Sequence, residues 1–234
     1  MDVKTSNVCG WSRLKKTAAC LAAFVAVALA TSAEAASIKP IPKWNGVSIQ
    51  GGIVQGDLER FVETVITLDL RKTVTIVLNS HGGNFDTAAN IVQLMGRASE
   101  EYGIAFNTYV GKTDECASAC TYIWAMGKEK FVTFGGQLYV HAVISRNASV
   151  PGGPSFETET SEALTLRAAR FYKATGAPDS VVAKALENNP AGNVIGYPEI
   201  GRWGGTFLSD VDGHRFKTCR ASGPEKPLAV TCDD

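Results

Sequence analysis

Hydrophobic residues along this chain fall into two alternating kinds of segment. A continuous run of apolar and β-branched residues over 73–78 is typical of a strand buried in a parallel sheet. The segment over 84–98 instead places its apolar residues at steps of three and four, which predicts a helix with one buried face. Strands alternating with helices predict an α/β fold with right-handed crossovers. The remaining predicted strands are 47–54, 105–110, 130–133 and 138–143, and the remaining predicted helices are 57–66, 117–126, 160–174 and 179–187.

The amino-terminal segment over 1–35 has the pattern of a secretory signal peptide. Three basic residues precede an uncharged, Ala-rich run over 17–32, and small residues, Ala33 and Ala35, stand where a signal peptidase cuts. The apolar run is shorter than the ~20 residues that a membrane-spanning helix needs. We therefore predict cleavage near Ala35 and a periplasmic or secreted mature protein, with a retained membrane anchor as the weaker alternative.

The rest of the chain is predicted to form one main domain. We expect a linker over 36–46, a domain over 47–212 and a carboxyl-terminal tail over 213–234. The tail contains Cys219 and Cys232 and little apolar material, so a disulfide between them is predicted to close it in an oxidising compartment.

Composition excludes some classes of function. Lys+Arg 23 balance Asp+Glu 23, so bulk charge gives no attraction to nucleic acid, and no nucleic-acid partner is expected. Cys116 and Cys120 have no further His or Cys at a local metal-ligand spacing, so neither a metal nor another cofactor is expected. These two cysteines are predicted to form either a disulfide or two buried thiols, and the sequence leaves both open.

Three polar motifs stand at predicted strand ends or helix starts, where ligands collect in α/β proteins. Gly82 and Gly83 follow the buried strand and leave backbone N–H groups uncovered. Ser118 lies among small residues at the start of a helix, where the N–H of Ala119 has no helical acceptor. His141 interrupts an apolar strand. Taken singly, each motif also has a purely structural explanation. The glycines suit an ordinary turn, Ser118 suits a helix cap, and His141 suits a hydrogen-bonded residue of the core.

Their order along the chain resembles that of the Clp protease proteolytic subunit and its relatives in the crotonase-like superfamily. The matching motifs are Asn-Ser-His-Gly-Gly at 79–83, Ala-Ser-Ala at 117–119 and Val-His at 140–141, within a similarity that covers about 47–210. The resemblance implies a repeated β-β-α superhelix around a parallel sheet. It also implies a serine endopeptidase-like hydrolase that cleaves peptide bonds through an acyl-enzyme.

The resemblance implies a role for each motif. Ser118 would be the nucleophile and His141 the general base, while the N–H groups of Ala119 and of Gly82 or Gly83 would form the oxyanion hole. Lys128 and Lys130 suggest a serine–lysine mechanism like that of signal peptide peptidase A, but the turn at Gly127 is expected to point both amines at solvent.

The sequence departs from the family at two positions. His81 replaces the proline of the glycine motif, and Asn189 stands at the position of the triad aspartate. A neutral amide orients an imidazole but does not stabilise its cation as a carboxylate does. Glu187, Asp179 and Asp210 remain alternatives for this role. A catalytically weak or inactive binding or scaffold protein is therefore the alternative function, and an acyl-CoA enzyme of the crotonase type is a third.

Export bears on the expected partners. An exported protein has no ATP beside it, so we expect no unfoldase partner and a substrate that is a short, extended or already unfolded peptide. By resemblance, the helix over 160–174 would assemble the chain into a trimer or ring.

Overall fold

The computed structural model describes residues 35–143 and 161–210, and the backbone of 216–222 and 229–232. The predicted signal peptide lies outside these ranges, apart from Ala35. Within them, every helix is too short or too polar to span a bilayer.

Most strands belong to an 8-stranded sheet in the order β1-β2-β3-β4-β6-β9-β10-β11. Its centre, from β2 to β9, is parallel, and its two edges are antiparallel. The predicted α/β fold with a parallel core is confirmed. The strands of this sheet are β1 (Ser37–Ile41), β2 (Gly46–Gln50), β3 (Val74–Asn79), β4 (Phe106–Val110), β6 (Lys130–Thr133), β9 (Gly205–Asp210), β10 (Phe216–Ser222) and β11 (Ala229–Cys232).

A second, 3-stranded sheet carries the site. Its strands are β5 (Glu115–Ala117), β7 (Gln137–Val140) and β8 (Asn193–Val194). β5 runs parallel to β7, and a bridge between Ser80 and Cys116 connects β5 to the end of β3. The carboxyl ends of β3, β5 and β7 therefore meet in one place.

The helices pack against the sheets through apolar faces. They are α1 (Asp57–Val65), α2 (Phe85–Tyr102), α3 (Ala119–Ala125), α4 (Ser161–Ala174), α5 (Asp179–Leu186) and α6 (Tyr197–Arg202). The start of α2 is fixed by Asn84, whose side chain accepts a hydrogen bond of 2.8 Å from the N–H of Thr87. α3 is buried throughout, and Trp124 from this helix packs edge-on against Trp203 with 5.2 Å between ring centroids. This burial fixes α3, and with it the turn that precedes it.

Several segments differ from the sequence prediction, and β8, β9 and α6 have no counterpart among the predicted elements. The predicted linker over 36–46 instead forms β1 and a short 3-10 helix, Pro42–Trp44, because an edge strand tolerates the prolines that suggested a linker. The predicted tail over 213–234 contributes β10 and β11 to the large sheet. The helix predicted from residue 117 begins at Ala119, and the residues before it form β5.

The backbone of β10 and β11 bears on the predicted disulfide of the tail. Cys219 and Cys232 are direct partners across these antiparallel strands. Directly opposed residues have Cα atoms ~4.5–5.5 Å apart, within the range that a disulfide spans. The register therefore supports the pair, and the bond itself stays a prediction.

Candidate active site

Ser118 occupies the sharp turn between β5 and α3. Its backbone has φ 55 and ψ −119, one of two positive φ values among the described residues other than glycine. Such a conformation costs about 1–3 kcal/mol and persists only where the surroundings impose it. The N–H of Ser118 donates to the carbonyl oxygen of Tyr139 at 3.0 Å, which ties the turn to β7.

Several contacts impose this conformation. The hydroxyl of Thr121 lies 2.8 Å from the carbonyl oxygens of both Cys116 and Tyr139, and the hydroxyl of Tyr172 donates to the carbonyl oxygen of Ser118 at 3.4 Å. Burial raises the pKa of Tyr172, so its hydroxyl keeps the proton it donates. Cys116 and Cys120 form a disulfide, which settles the alternative that the sequence left open. The turn is therefore held from both of its sides.

Gly82 packs directly against this turn. It has φ 92, and a Cβ at this position would lie 2.6 Å from the carbonyl oxygen of Ala117, 2.8 Å from Cβ of Ser118 and 3.0 Å from the nitrogen of Ala119. Only glycine permits so close an approach. The glycine motif and the serine motif are thus in contact, as their proposed joint role requires.

The structure distinguishes the two glycines as oxyanion donors. The N–H of Gly82 donates to the hydroxyl of Ser80 at 3.1 Å. Gly83 is exposed, and its N–H takes no part in the bridge to Ile53, which uses the carbonyl of Gly82 and the N–H of Asn84. Among the described residues, the N–H groups of Gly83 and Ala119 have no hydrogen-bond acceptor. Gly83, and not Gly82, therefore has an amide to offer a substrate.

His141 follows the last residue of β7, beside the serine turn. The register pairs Ala117 with Tyr139, so Ser118 and His141 leave the same ends of neighbouring parallel strands. Nδ1 of His141 lies 2.6 Å from the carbonyl oxygen of Ala142, which can only accept, so in the neutral imidazole this contact favours a proton on Nδ1 and a lone pair on Nε2. Within the described part of the chain, no hydrogen bond joins Ser118 to His141.

Asn189 is engaged in its own turn. Its amide nitrogen donates to the carbonyl oxygen of Gly192 at 3.1 Å and to Oδ1 of Asn193 at 2.9 Å, and its oxygen accepts from the N–H of Ala191 at 3.2 Å. The segment that leads into this turn contacts the histidine strand through the backbone, where the N–H of Ala142 donates to the carbonyl oxygen of Glu187 at 2.9 Å. The structure therefore forms no hydrogen bond between Asn189 and His141.

An ion pair holds the segment that carries Asn189. Nζ of Lys184 lies 2.6 Å from Oε2 of the nearly buried Glu199 and also donates to the carbonyl oxygen of Val194 at 2.9 Å. Burial acts to raise the pKa of Glu199, but hydrogen bonds from Lys184, Ser180 and the N–H of Gly196 outweigh it and hold this pKa below its ordinary value. The carboxylate is therefore charged at neutral pH.

Among the described side chains, none of the other candidate carboxylates and amines forms a hydrogen bond with Ser118. The side chain of Glu187 is exposed, Asp179 forms an ion pair with Lys173, and the side chain of Asp210 lies outside the described residues. Lys128 is exposed. Nζ of Lys130 donates to the carbonyl oxygen of Gly127 at 3.3 Å, and burial lowers the pKa of this amine. Neither lysine forms a hydrogen bond with Ser118.

Sequence reasoning missed three supporting residues. Ser80 orients the glycine turn, and Thr121 and Tyr172 hold the serine turn. Thr121 had a readable signal, because it is a polar residue in an otherwise apolar helix start. Tyr172 had none, since its contact with the turn arises from the packing of α4. His81 is exposed beside the glycines, and the described residues contain no cluster of three His, Cys, Asp or Glu that could hold a metal ion.

Comparisons with known proteins bear on the fold. No protein-family model and no curated protein sequence matches the chain. Among solved structures, ClpP1 from Listeria monocytogenes aligns with a TM-score of 0.53 at 17% identity, over 74% of this chain and 96% of that one. A mutant of the 1510-N membrane-bound stomatin-specific protease aligns with a TM-score of 0.50 at 20% identity, over 67% of this chain and 74% of that one. This chain has the ClpP-like fold. The resemblance inferred from the order of three short motifs is thereby confirmed for the fold.

Proposed function

We propose that this protein is an exported serine peptidase-like hydrolase that cleaves peptide bonds without an ATP-driven unfoldase. The observation that carries the proposal is the serine turn, in which Ser118 is held at a positive φ in contact with Gly82, between the N–H of Ala119 and the glycine turn that carries the N–H of Gly83. A strained serine next to amides without acceptors is the arrangement that acyl transfer requires. Both structural neighbours carry the names of proteases or of ClpP.

The proposed reaction follows from these positions. The hydroxyl oxygen of Ser118 attacks the peptide carbonyl while Nε2 of His141 takes its proton. The negative oxygen that develops accepts hydrogen bonds from the N–H groups of Gly83 and Ala119. The histidine then returns the proton to the departing amine, and water hydrolyses the acyl-enzyme by the same steps. The hydrogen bond between the two side chains forms when substrate binds, as is common for catalytic contacts.

The carbonyl of Ala142 takes the orienting role in this proposal. It accepts a hydrogen bond from Nδ1–H of His141 and so favours one tautomer, but it carries no full charge to stabilise the imidazolium. Where a triad aspartate is replaced by a neutral amide in chymotrypsin-like proteases, turnover falls by about 10⁴. We therefore expect slow turnover, with acylation of Ser118 easier to detect than peptide release.

The proposal also includes a substrate class and an oligomeric state. The substrate class is short, extended or unfolded peptides in a periplasmic or extracellular space. The chain is proposed to assemble as a trimer or ring through α4, on which Leu166 is 43% exposed despite being apolar.

Labelling with a fluorophosphonate probe tests the hydrolase. Folded wild-type protein is expected to gain one phosphonyl group, which is lost in Ser118→Ala and acquired more slowly in His141→Ala. Ser99→Ala is the matched control, because it removes the hydroxyl of a serine outside the proposed site. Ser99 lies near the end of α2, and its hydroxyl donates to the carbonyl oxygen of Ile104. Folded wild-type protein that acquires no label at any pH from 6 to 9 would contradict the proposal.

A peptide-binding or scaffold function is the second candidate. It is favoured by the lack of a hydrogen bond between Ser118 and His141 in the described residues and by the engagement of Asn189 in its own turn. Peptide binding that is equal in wild type and Ser118→Ala, without labelling of either, would support this function.

A further inference from the structure

A disulfide encloses the proposed nucleophile. Cys116 lies in β5 and Cys120 in the first turn of α3, so their bond joins the two elements that meet at Ser118. Both cysteines are fully buried, with 0% of their surface exposed. We propose that Cys116 and Cys120 are positioning residues that make Ser118 reactive only in a chain that has folded under oxidising conditions. The inference rests on the proposed hydrolase function.

The conformation of Ser118 explains why a covalent brace matters. Its positive φ is disfavoured for a residue with a side chain, so the turn relaxes unless it is restrained. Thr121 and Tyr172 supply hydrogen bonds that do not depend on redox state. The disulfide adds a link that prevents the start of α3 from moving away from β5. Without it, the hydroxyl of Ser118 and the N–H of Ala119 leave their common position beside the glycine turn.

Formation of the bond depends on the compartment. Two thiols give up two electrons and two protons to an oxidoreductase that carries a disulfide, and this oxidant leaves as a dithiol. Cytosolic thiols stay reduced, whereas disulfides persist in the periplasm and outside the cell. Because both cysteines are buried, a reductant cannot reach the bond in the folded protein. The bond is therefore set as the chain folds, and a chain retained in the cytosol holds a poorly reactive serine.

The test compares two full-length double variants with wild type. C116A/C120A removes the brace, and C219A/C232A is the matched control that removes two cysteines far along the chain from the serine turn. Each protein is refolded with a glutathione redox pair, and its disulfides are counted by alkylation and mass spectrometry. A fluorophosphonate titration then separates the maximal rate of phosphonylation from the probe concentration that gives half of it. Hydrogen exchange of the peptide over 115–125 is measured in parallel.

We expect C116A/C120A to be phosphonylated roughly tenfold or more slowly than wild type, at an unchanged half-saturating probe concentration. The amides over 115–125 should exchange faster, while C219A/C232A should match wild type in both measurements. Equal phosphonylation rates and equal exchange in C116A/C120A and wild type would overturn the inference. If C116A/C120A does not fold, C219A/C232A refolded in a phosphine reductant replaces it, and the same equality overturns the inference.

These readouts separate this inference from the proposed function. If oxidised wild type acquires no label, the hydrolase is refuted, but faster exchange without the disulfide still supports its bracing of the turn. If wild type is labelled and loss of the disulfide changes neither rate nor exchange, the hydrolase stands and the positioning role is refuted.

Discussion

Substitution of Gly82 by alanine tests the contact between the glycine turn and the serine turn. Two costs add. An alanine at φ 92 adopts a left-handed conformation, which costs about 1–2 kcal/mol. Its Cβ also meets backbone atoms of Ala117 and Ala119 at 2.6 and 3.0 Å, and forcing such atoms apart costs about 1–3 kcal/mol. We expect Gly82→Ala to lower the free energy of unfolding by about 2–5 kcal/mol and to slow phosphonylation of Ser118.

Gly56→Ala is the control that isolates the contact. Gly56 has φ 94, almost the value of Gly82, but a Cβ added to Gly56 would have no other atom within 4 Å. It therefore carries the conformational cost alone, about 1–2 kcal/mol. Urea unfolding of both variants gives the two free energies, and a probe titration gives the two labelling rates. Equal destabilisation of the two variants, with Ser118 labelled at the wild-type rate in Gly82→Ala, would refute the proposed contact.

Three further predictions concern the residues around the site. Asn189→Asp places a carboxylate against two oxygens of its own turn, so we expect urea unfolding to show a loss of about 1–3 kcal/mol. If labelling of Ser118 is instead tenfold faster in this variant, residue 189 acts as the triad member that orients His141. Because the pKa of Glu199 is lowered in the folded protein, its stabilising effect is present above its ordinary pKa and is lost as pH falls through the folded value. Unfolding midpoints between pH 6 and 3 should therefore fall more steeply for wild type than for Glu199→Gln, and parallel curves would contradict this. Thr121→Val keeps the shape of the side chain but removes the hydroxyl that contacts backbone carbonyls of β5 and β7. Calorimetry should show that the free energy of unfolding falls by about 1–3 kcal/mol. An unchanged unfolding midpoint would show that this hydroxyl does not stabilise the turn.

The sequence predicted the parts of the fold that depend on hydrophobic periodicity. β3 and α2 appear within a few residues of their predicted bounds, because a buried β-branched run and a one-sided apolar helix are local signals. β5 was not predicted, because it is only three residues long and its last residue, Ala117, was assigned to the start of the following helix. Its strand conformation depends on pairing with β7 and on the bridge to Ser80, which are tertiary contacts.

The candidate site was predictable to a similar degree. The order of motifs led to Ser118, Gly82 and Gly83, but which glycine offers its N–H depends on the hydroxyl of Ser80 two residues earlier. The hydrogen bonds of Asn189 likewise form within a turn whose shape no local pattern indicates. Sequence therefore singled out the glycine and serine motifs, and the structure shows that they are in contact and which of their polar atoms already form hydrogen bonds.

A crystal structure of the phosphonylated protein would show directly whether Ser118 is the nucleophile and whether Gly83 and Ala119 form the oxyanion hole. We expect a phosphorus atom bonded to the hydroxyl oxygen of Ser118, with the phosphoryl oxygen ~2.7–3.1 Å from the nitrogens of both Gly83 and Ala119. A phosphonyl group on another residue, or a phosphoryl oxygen turned to solvent away from these two nitrogens, would contradict it.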